Sequence, residues 1–304
     1  MADKAHRGEE KIGFVGIGNM GVPMVRNLAK ANITILAYDL NAAALASVTS
    51  DSNLVTAAAS LAEIGAKCTT VITMLPTGAD VREAVLGEGG IASKMVKGGI
   101  ILDMSSSEPT GTVELARELE ARGLHLVDAP VSGGVHGAVA GTLALMTGGK
   151  DEVVARVEKA MGAMGNVYRT GPVGSGHAAK ALNNFLSAAS LTATSEALLV
   201  ALKFGLDGAR MADIWNASTG RSNTTENKLH QHILNEKFAA GFTLKLLNKD
   251  VKIARALAES LDVRADYLDR VSALLGDALE ELGEEADHTA LYRYLEKISE
   301  GRKA

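Results

Sequence analysis

The chain has 304 residues, which at ~150 residues per domain points to two domains, and its 47% apolar and 22% charged content suits a globular protein with a substantial core. Thirty-one Lys and Arg against 36 Asp and Glu leave a net charge of −5, and 4% of residues are aromatic, which excludes a nucleic-acid partner held by phosphate contacts or base stacking. Cys68 is the single cysteine, so there is no intrachain disulfide framework and no multi-cysteine zinc site, and the composition suits a reducing, cytoplasmic setting.

Residues 1–10 are polar and charged and read as a flexible leader. The apolar stretch at 12–15 is soon broken by glycines, and no run of roughly 18 apolar residues follows, so neither a signal peptide nor a membrane span is expected. Strands are expected at 11–16, 33–38, 69–74 and 100–102, with helices at 20–31 and 41–48. Further strands are expected at 124–127, 142–146 and 167–170. Alternating strands and helices indicate a parallel sheet covered on both faces. After Gly171 the texture changes: a long Ala/Leu-rich helix is expected at 178–204, then helices at 244–261, 263–282 and 288–298, with no strong strand candidate and no proline after Pro172. The expected organisation is residues 11–172 as one α/β domain and 173–304 as a helical domain for substrate and oligomer contacts, with 173–204 as the long helix linking them.

Gly16-Ile17-Gly18-Asn19-Met20-Gly21 matches G-x-G-x-x-G, follows a strand and opens a helix, which is the context that motif requires. Gly16 permits the tight turn, Gly18 lets a diphosphate approach the backbone, and Gly21 allows the helix to pack closely on the strand. Asp39 stands at the end of the second strand, where a carboxylate accepts hydrogen bonds from the adenosine ribose. Its competing role is to cap the helix that follows. Together, turn and carboxylate indicate a Rossmann-like, doubly wound dinucleotide domain. The negative charge favours NAD, with NADP as the alternative.

Three other segments fall at strand C-termini, where an open parallel sheet binds ligand. They are Met74-Leu75-Pro76-Thr77, Asp103-Met104-Ser105-Ser106-Ser107 and Asp128-Ala129-Pro130-Val131-Ser132-Gly133-Gly134. For the serines at 105–107, ahead of Pro109, turn chemistry and helix capping stand level with direct cofactor contact. Ser132, Gly133 and Gly134 expose backbone N–H groups able to hold a carboxylate.

Gly171-x-x-Gly174-x-Gly176-x-x-x-Lys180-x-x-x-Asn184 begins the long helix. Lys180 and Asn184 are one turn apart on one face of an otherwise apolar helix. On a surface helix such a lysine would snorkel to water. After these glycines, near a domain boundary and downstream of a dinucleotide fold, it reads as a general acid/base in a cleft, because burial beside a cationic nicotinamide favours the neutral amine. Asn184 would hold the lysine or the substrate oxygen.

Through these segments, and Phe242 with Lys249-Asp250 after them, residues 11–295 resemble the β-hydroxyacid dehydrogenases, in particular the 3-hydroxyisobutyrate dehydrogenase-like members. The resemblance implies that Lys180 is the catalytic lysine and Asn184 its partner, with Ser132 and Gly133 at the substrate carboxylate. It places Ser106 and Lys249 near the cofactor, and Phe242 and Asp250 where the helical domain closes the site. Residues 218–226 fall where the family varies, which makes them candidates for substrate selection. A homodimer or homotetramer acting on a small hydroxy acid or semialdehyde is expected.

Other chemistries lack their signatures. His230-x-His232 has no completing metal ligand in sequence, and neither the P-loop pattern nor G-x-S-x-G occurs. No metal is expected. The rival readings are an imine reductase of the same fold and a non-catalytic dinucleotide-binding scaffold.

Overall fold

The computed structural model describes residues 11–301; the leader expected at 1–10 lies outside the described residues. One sheet contains β1 (Ile12–Val15), β2 (Ile35–Tyr38), β3 (Val55–Ala57), β4 (Thr70–Thr73), β5 (Ile100–Asp103), β6 (His125–Asp128), β7 (Val131–Ser132), β8 (Leu143–Gly148) and β9 (Gly165–Gly171). The strand path is β3-β2-β1-β4-β5-β6-β8-β7, with β9 paired to β8. From β3 to β6 every pairing is parallel, the order of a Rossmann dinucleotide sheet. Val15 is in register with both Tyr38 and Thr73, so the C-terminal ends of β2, β1 and β4 lie level where the strand order reverses.

The sheet is not parallel throughout. β8 runs antiparallel to β6 and β7, while β9 runs parallel to β8. β7 continues β6 past Ala129 and Pro130, with Asp128, Val131 and Ser132 facing Gly148, Leu145 and Ala144 of β8, and the chain reverses through helix Gly134–Ala140 between β7 and β8.

Alternation along each strand fills two cores. Phe14, Ile35, Ala37, Ile72, Ile100, Leu102 and Val127 enter one face, and Val15, Leu36, Val71, Ile101 and Leu126 the other. Burial on both faces is why these strands read as continuous apolar runs rather than as alternating ones. Helix Gly21–Lys30 begins at the glycine-rich turn, and helix Pro109–Ala121 follows β5 with proline in its first turn, where a missing N–H costs nothing.

The chain separates into two compact units, with the break between Lys180 and Ala181 inside helix Ser175–Phe204. In the second unit, Ala181, Ala188, Leu191 and Leu198 of this long helix form a core with Leu247, Val251 and Ala254 of helix Leu244–Ser260 and with Val271, Leu275 and Ala278 of helix Asp266–Leu282. The spacing of three, four and seven is the stripe that a helix buries. Helices Gly208–Asn216 and Asn223–Asn227, absent from the sequence-based expectation, are short and start at Asp207 and Ser222, whose side chains cap them. No strand is found among the described residues of this half; an isolated bridge joins Thr243 to Asp287. Helix Ser175–Phe204 is long and apolar enough to cross a membrane by length and composition alone, and part of its surface is buried in this core.

Candidate active site

The glycine-rich turn separates into positions required by the protein and one left open. Gly16 has φ +101°, and a Cβ there would lie 2.2 Å from the Met74 carbonyl oxygen. A Cβ at Gly21 would lie 2.0 Å from the carbonyl oxygen of Gly16, so a side chain would force helix and turn apart. Gly18 is exposed, and a Cβ there would meet nothing within 4 Å. The fold itself does not demand glycine at 18, and the bare backbone there leaves room for a dinucleotide diphosphate to approach. Ile17 beside it is buried, Asn19 is exposed and Met20 half-buried.

Asp39 is built into this turn. Its Oδ2 accepts a hydrogen bond from the Ile17 N–H at 2.5 Å, and its Oδ1 accepts from the Asn41 N–H at 2.7 Å. The helix that follows is capped by Asn41, which accepts from Ala43 and Ala44. Asp39 is therefore released from capping, and each carboxylate oxygen keeps a lone pair for a ribose hydroxyl.

The loop after β5 sorts its three serines. Ser105 is buried, its hydroxyl oxygen accepting from the Leu75 N–H at 2.9 Å, and the Ser107 hydroxyl donates to Asp103 Oδ2 at 2.8 Å. Both are spent on structure, and Ser106 is the half-exposed one. The Ser105 bond also fixes the half-buried Leu75 ahead of exposed Pro76. Ser132 is half-buried on β7, followed by exposed Gly133 and Gly134 with φ of +125° and +59°. These backbone conformations favour glycine and turn the chain sharply there.

The start of the long helix is anchored by Asp128, at the end of β6. Its Oδ1 accepts from the Gly174 N–H at 2.7 Å and its Oδ2 from the His177 N–H at 2.9 Å. A fully buried carboxylate 46 residues upstream thus does the capping that Gly174, lacking a side chain, cannot. A Cβ at Gly176 would lie 2.2 Å from the Met146 carbonyl oxygen, so the glycines here are what lets the helix end reach the sheet. Lys180 follows in the next turn and is half-buried.

His177, which sequence reasoning missed, lies at the centre of this region. Its ring is buried, with Nδ1 2.8 Å from the Thr112 hydroxyl and Nε2 3.2 Å from the Ser105 carbonyl oxygen. Asp103 Oδ2 is 3.6 Å from Nε2. The available signal was a lone imidazole between Gly176 and Ala178, where an apolar first turn would otherwise have continued.

The second unit brings together Asn184, Asp250, Lys249 and, on the segment ahead of them, Phe242. Asn184 Nδ2 donates to Asp250 Oδ2 at 2.6 Å, and the Lys249 ammonium is 3.8 Å from Asp250 Oδ1. Asn183 donates to Asn184 Oδ1 at 3.1 Å. Phe242 is half-buried; its carbonyl accepts from His288 Nδ1 at 2.9 Å and its ring meets the His288 ring edge-on. Burial, helped by the positive charge of Lys228, pushes the His288 pKa down to about 4. Lys228 is itself pushed down to about 8 by burial, and its ammonium donates to the Ser187 hydroxyl at 3.1 Å. Within the stretch 218–226, Ser222 and Thr225 cap one another's backbone N–H groups.

Comparison with known proteins gives one consistent result. Residues 11–174 match the family model of the NAD-binding domain of 6-phosphogluconate dehydrogenase, and residues 174–295 match that of NADP-dependent 3-hydroxyisobutyrate dehydrogenase. The chain is 37% identical over 245 residues to 2-(hydroxymethyl)glutarate dehydrogenase of Eubacterium barkeri, covering 80% of this chain and 81% of that protein. It is 38% identical over 256 residues to the mitochondrial 3-hydroxyisobutyrate dehydrogenase of Bos taurus, covering 82% and 76%. The solved Mycobacterium tuberculosis 3-hydroxyisobutyrate dehydrogenase with L-serine superposes with a TM-score of 0.87 at 29% identity, covering 95% of this chain and 99% of that one.

Proposed function

The chain belongs to the β-hydroxyacid dehydrogenase family, and from that premise we propose that it interconverts a small 3-hydroxy acid and its aldehyde acid, as a 3-hydroxyisobutyrate dehydrogenase or semialdehyde reductase does. It is an NAD(P)-dependent oxidoreductase acting on CH–OH donors. The observation that carries the residue assignment is the long helix: Lys180 and Asn184 stand one turn apart on one face, and the Asn184 amide is locked in orientation by buried Asp250.

Lys180 Nζ takes the hydroxyl proton when the alcohol is oxidised and returns it on reduction. Asn184 spends one amide hydrogen on Asp250 and aims the second at the substrate oxygen. Ser132, Gly133 and Gly134 hold the substrate carboxylate through hydroxyl and backbone N–H groups. Phe242 and Asp250, both in the helical unit, are further residues we assign to the substrate. Gly16, Ile17, Gly18, Asn19, Met20 and Gly21 hold the dinucleotide diphosphate, Asp39 the ribose, and Leu75, Pro76, Ser106 and Lys249 flank the remainder. A nicotinamide bound there supplies the hydride acceptor. Asp39 repels a 2′-phosphate, which makes NAD the preferred coenzyme and NADP the weaker one.

Self-association in a cytoplasmic setting completes the reading. Leu182, Leu186, Val200 and Phe204 are exposed along one stripe of the long helix, and a second copy of the chain is the occupant we assign to it. Light scattering of Leu186→Glu against the wild type reports a smaller species if the stripe is the contact.

The deciding experiment is Lys180→Ala, assayed with a panel of small hydroxy acids and semialdehydes and with both coenzymes. Turnover falls by roughly 10²-fold or more while coenzyme binding persists. Near-wild-type turnover refutes the role of the lysine.

A further inference from the structure

We infer that His177 is a positioning residue: its ring ties the loop after β5, which carries Ser106, to the helix turn that carries Lys180, so that the coenzyme side of the site and the proton-transferring amine move as one piece. This rests on the assignment of Lys180 given above.

The ring has no water to turn to, being enclosed, and its two nitrogens face different elements. A carbonyl can only accept, so Nε2, 3.2 Å from the Ser105 oxygen, carries a proton. Nδ1 lies 2.8 Å from the hydroxyl oxygen of Thr112 on helix Pro109–Ala121, whose own hydrogen faces the Glu108 carbonyl at 3.0 Å. The backbone N–H of the same residue is held by Asp128 at the end of β6. One residue thus joins a strand end, a neighbouring helix and the loop of the coenzyme side. Lys180 lies three residues further along the helix, hence one turn away on the same face.

The contact to Ser105 is the functional one, because Ser105 also fixes Leu75 through its hydroxyl and immediately precedes Ser106. If the Nε2 bond is lost, the helix start keeps its Asp128 cap, yet loop and lysine no longer share a reference. The Thr112 contact, by comparison, joins His177 to a helix that carries none of the assigned site residues, and its role is stability.

The two nitrogens can be separated by substitution. Glutamine extends its amide to where Nε2 lies, whereas asparagine reaches only as far as Nδ1. The full-length protein and its His177→Gln, His177→Asn, Thr112→Val and Lys180→Ala variants are compared for kcat, KM, the pH profile of kcat, NAD affinity by fluorescence titration, and Tm. His177→Asn loses ten- to a hundred-fold in kcat, the scale of a roughly 1 Å misplacement, with little change in KM and a displaced pH profile; His177→Gln stays within about threefold of wild type. Thr112→Val lowers Tm without that loss of kcat.

Wild-type kcat in His177→Asn overturns the inference, as does a loss of kcat in Thr112→Val that tracks its loss of Tm in the same proportion as His177→Asn. Failure of this inference alone shows as an inactive Lys180→Ala beside an active His177→Asn. An active Lys180→Ala overturns the lysine assignment and the inference built on it together.

Discussion

Asn184 and Asp250, 66 residues apart in sequence, meet through a 2.6 Å hydrogen bond from the amide nitrogen to the carboxylate, and both side chains are buried. A carboxylate can only accept, so this bond settles which end of the Asn184 amide is nitrogen and fixes the plane of the group. The amide direction that the proposed role of Asn184 requires is thus set by a residue on another helix.

Asp250→Ala should therefore disturb chemistry and stability together. A charge-assisted hydrogen bond contributes about 1.5–3 kcal/mol, and the Asn184 amide would be left buried without that acceptor. The expected outcome is a lower Tm together with a kcat loss larger than the change in NAD affinity, read by thermal melts, steady-state assays and titration. A variant with wild-type turnover would show that Asn184 keeps its orientation by other means.

Gly18 and Gly21 should part company on substitution. Gly18→Val places its side chain in open space, so Tm stays near wild type while NAD binding weakens more than about tenfold, equivalent to ~1.4 kcal/mol. Gly21→Ala brings a methyl group to 2.0 Å from the Gly16 carbonyl oxygen, and overpacking of this kind costs about 1–3 kcal/mol of stability. Denaturation curves and NAD titrations of both variants check the pattern; the reverse pattern would show that the turn is shaped for packing alone.

Coenzyme preference tests Asp39. The family model matching the second half of the chain is described as NADP-dependent, so the preference for NAD rests on this carboxylate. Asp39→Ser removes the charge that repels a 2′-phosphate and one partner of the Ile17 N–H. The ratio of kcat/KM for NADP to that for NAD should rise about tenfold or more, the effect of ~1.4 kcal/mol. An unchanged ratio, or a wild type that already favours NADP, contradicts the role.

Acid should weaken the helical half through His288. Its folded pKa of about 4 lies below the ordinary 6.5, first because of burial and then because of Lys228, with Asp287 opposing and His232 adding to the depression. Above pH 6.5 the ring is neutral in both folded and unfolded chains, and its contribution is complete. As the pH falls from 6.5 through 4, the unfolded chain takes up a proton that the folded one refuses, so stability is lost across that window. At ~1.4 kcal/mol per unit this amounts to a few kcal/mol. Tm measured from pH 7 to 4 should fall less steeply in His288→Asn than in the wild type, and parallel curves would assign the acid sensitivity elsewhere.

Much of this protein was legible before any coordinates. The strands β1, β2, β4, β5 and β6 read as apolar runs because both faces of the sheet are buried there, whereas β3, with Thr56 and Ala57 exposed, was not read. The glycine-rich turn, Asp39 and the Lys180–Asn184 spacing are local patterns whose chemistry needs only a few neighbouring residues. The antiparallel end of the sheet was not legible, because the reversal between β7 and β8 runs through the short helix Gly134–Ala140, whose sequence does not say which way the next strand returns. Nor could Ser105, Ser106 and Ser107 be told apart, since what separates them is which strand and loop each one touches.

The buried polar pairs belong to tertiary structure alone: Asp128 with the His177 N–H, 49 residues on, His177 with the Ser105 carbonyl, and Asn184 with Asp250. Periodicity and propensity report which face of an element is buried, and so they determined the two-part fold. Every buried donor still needs one acceptor among many of equal chemistry. Only the packing of distant segments selects it, and that selection fixes how each side chain is oriented.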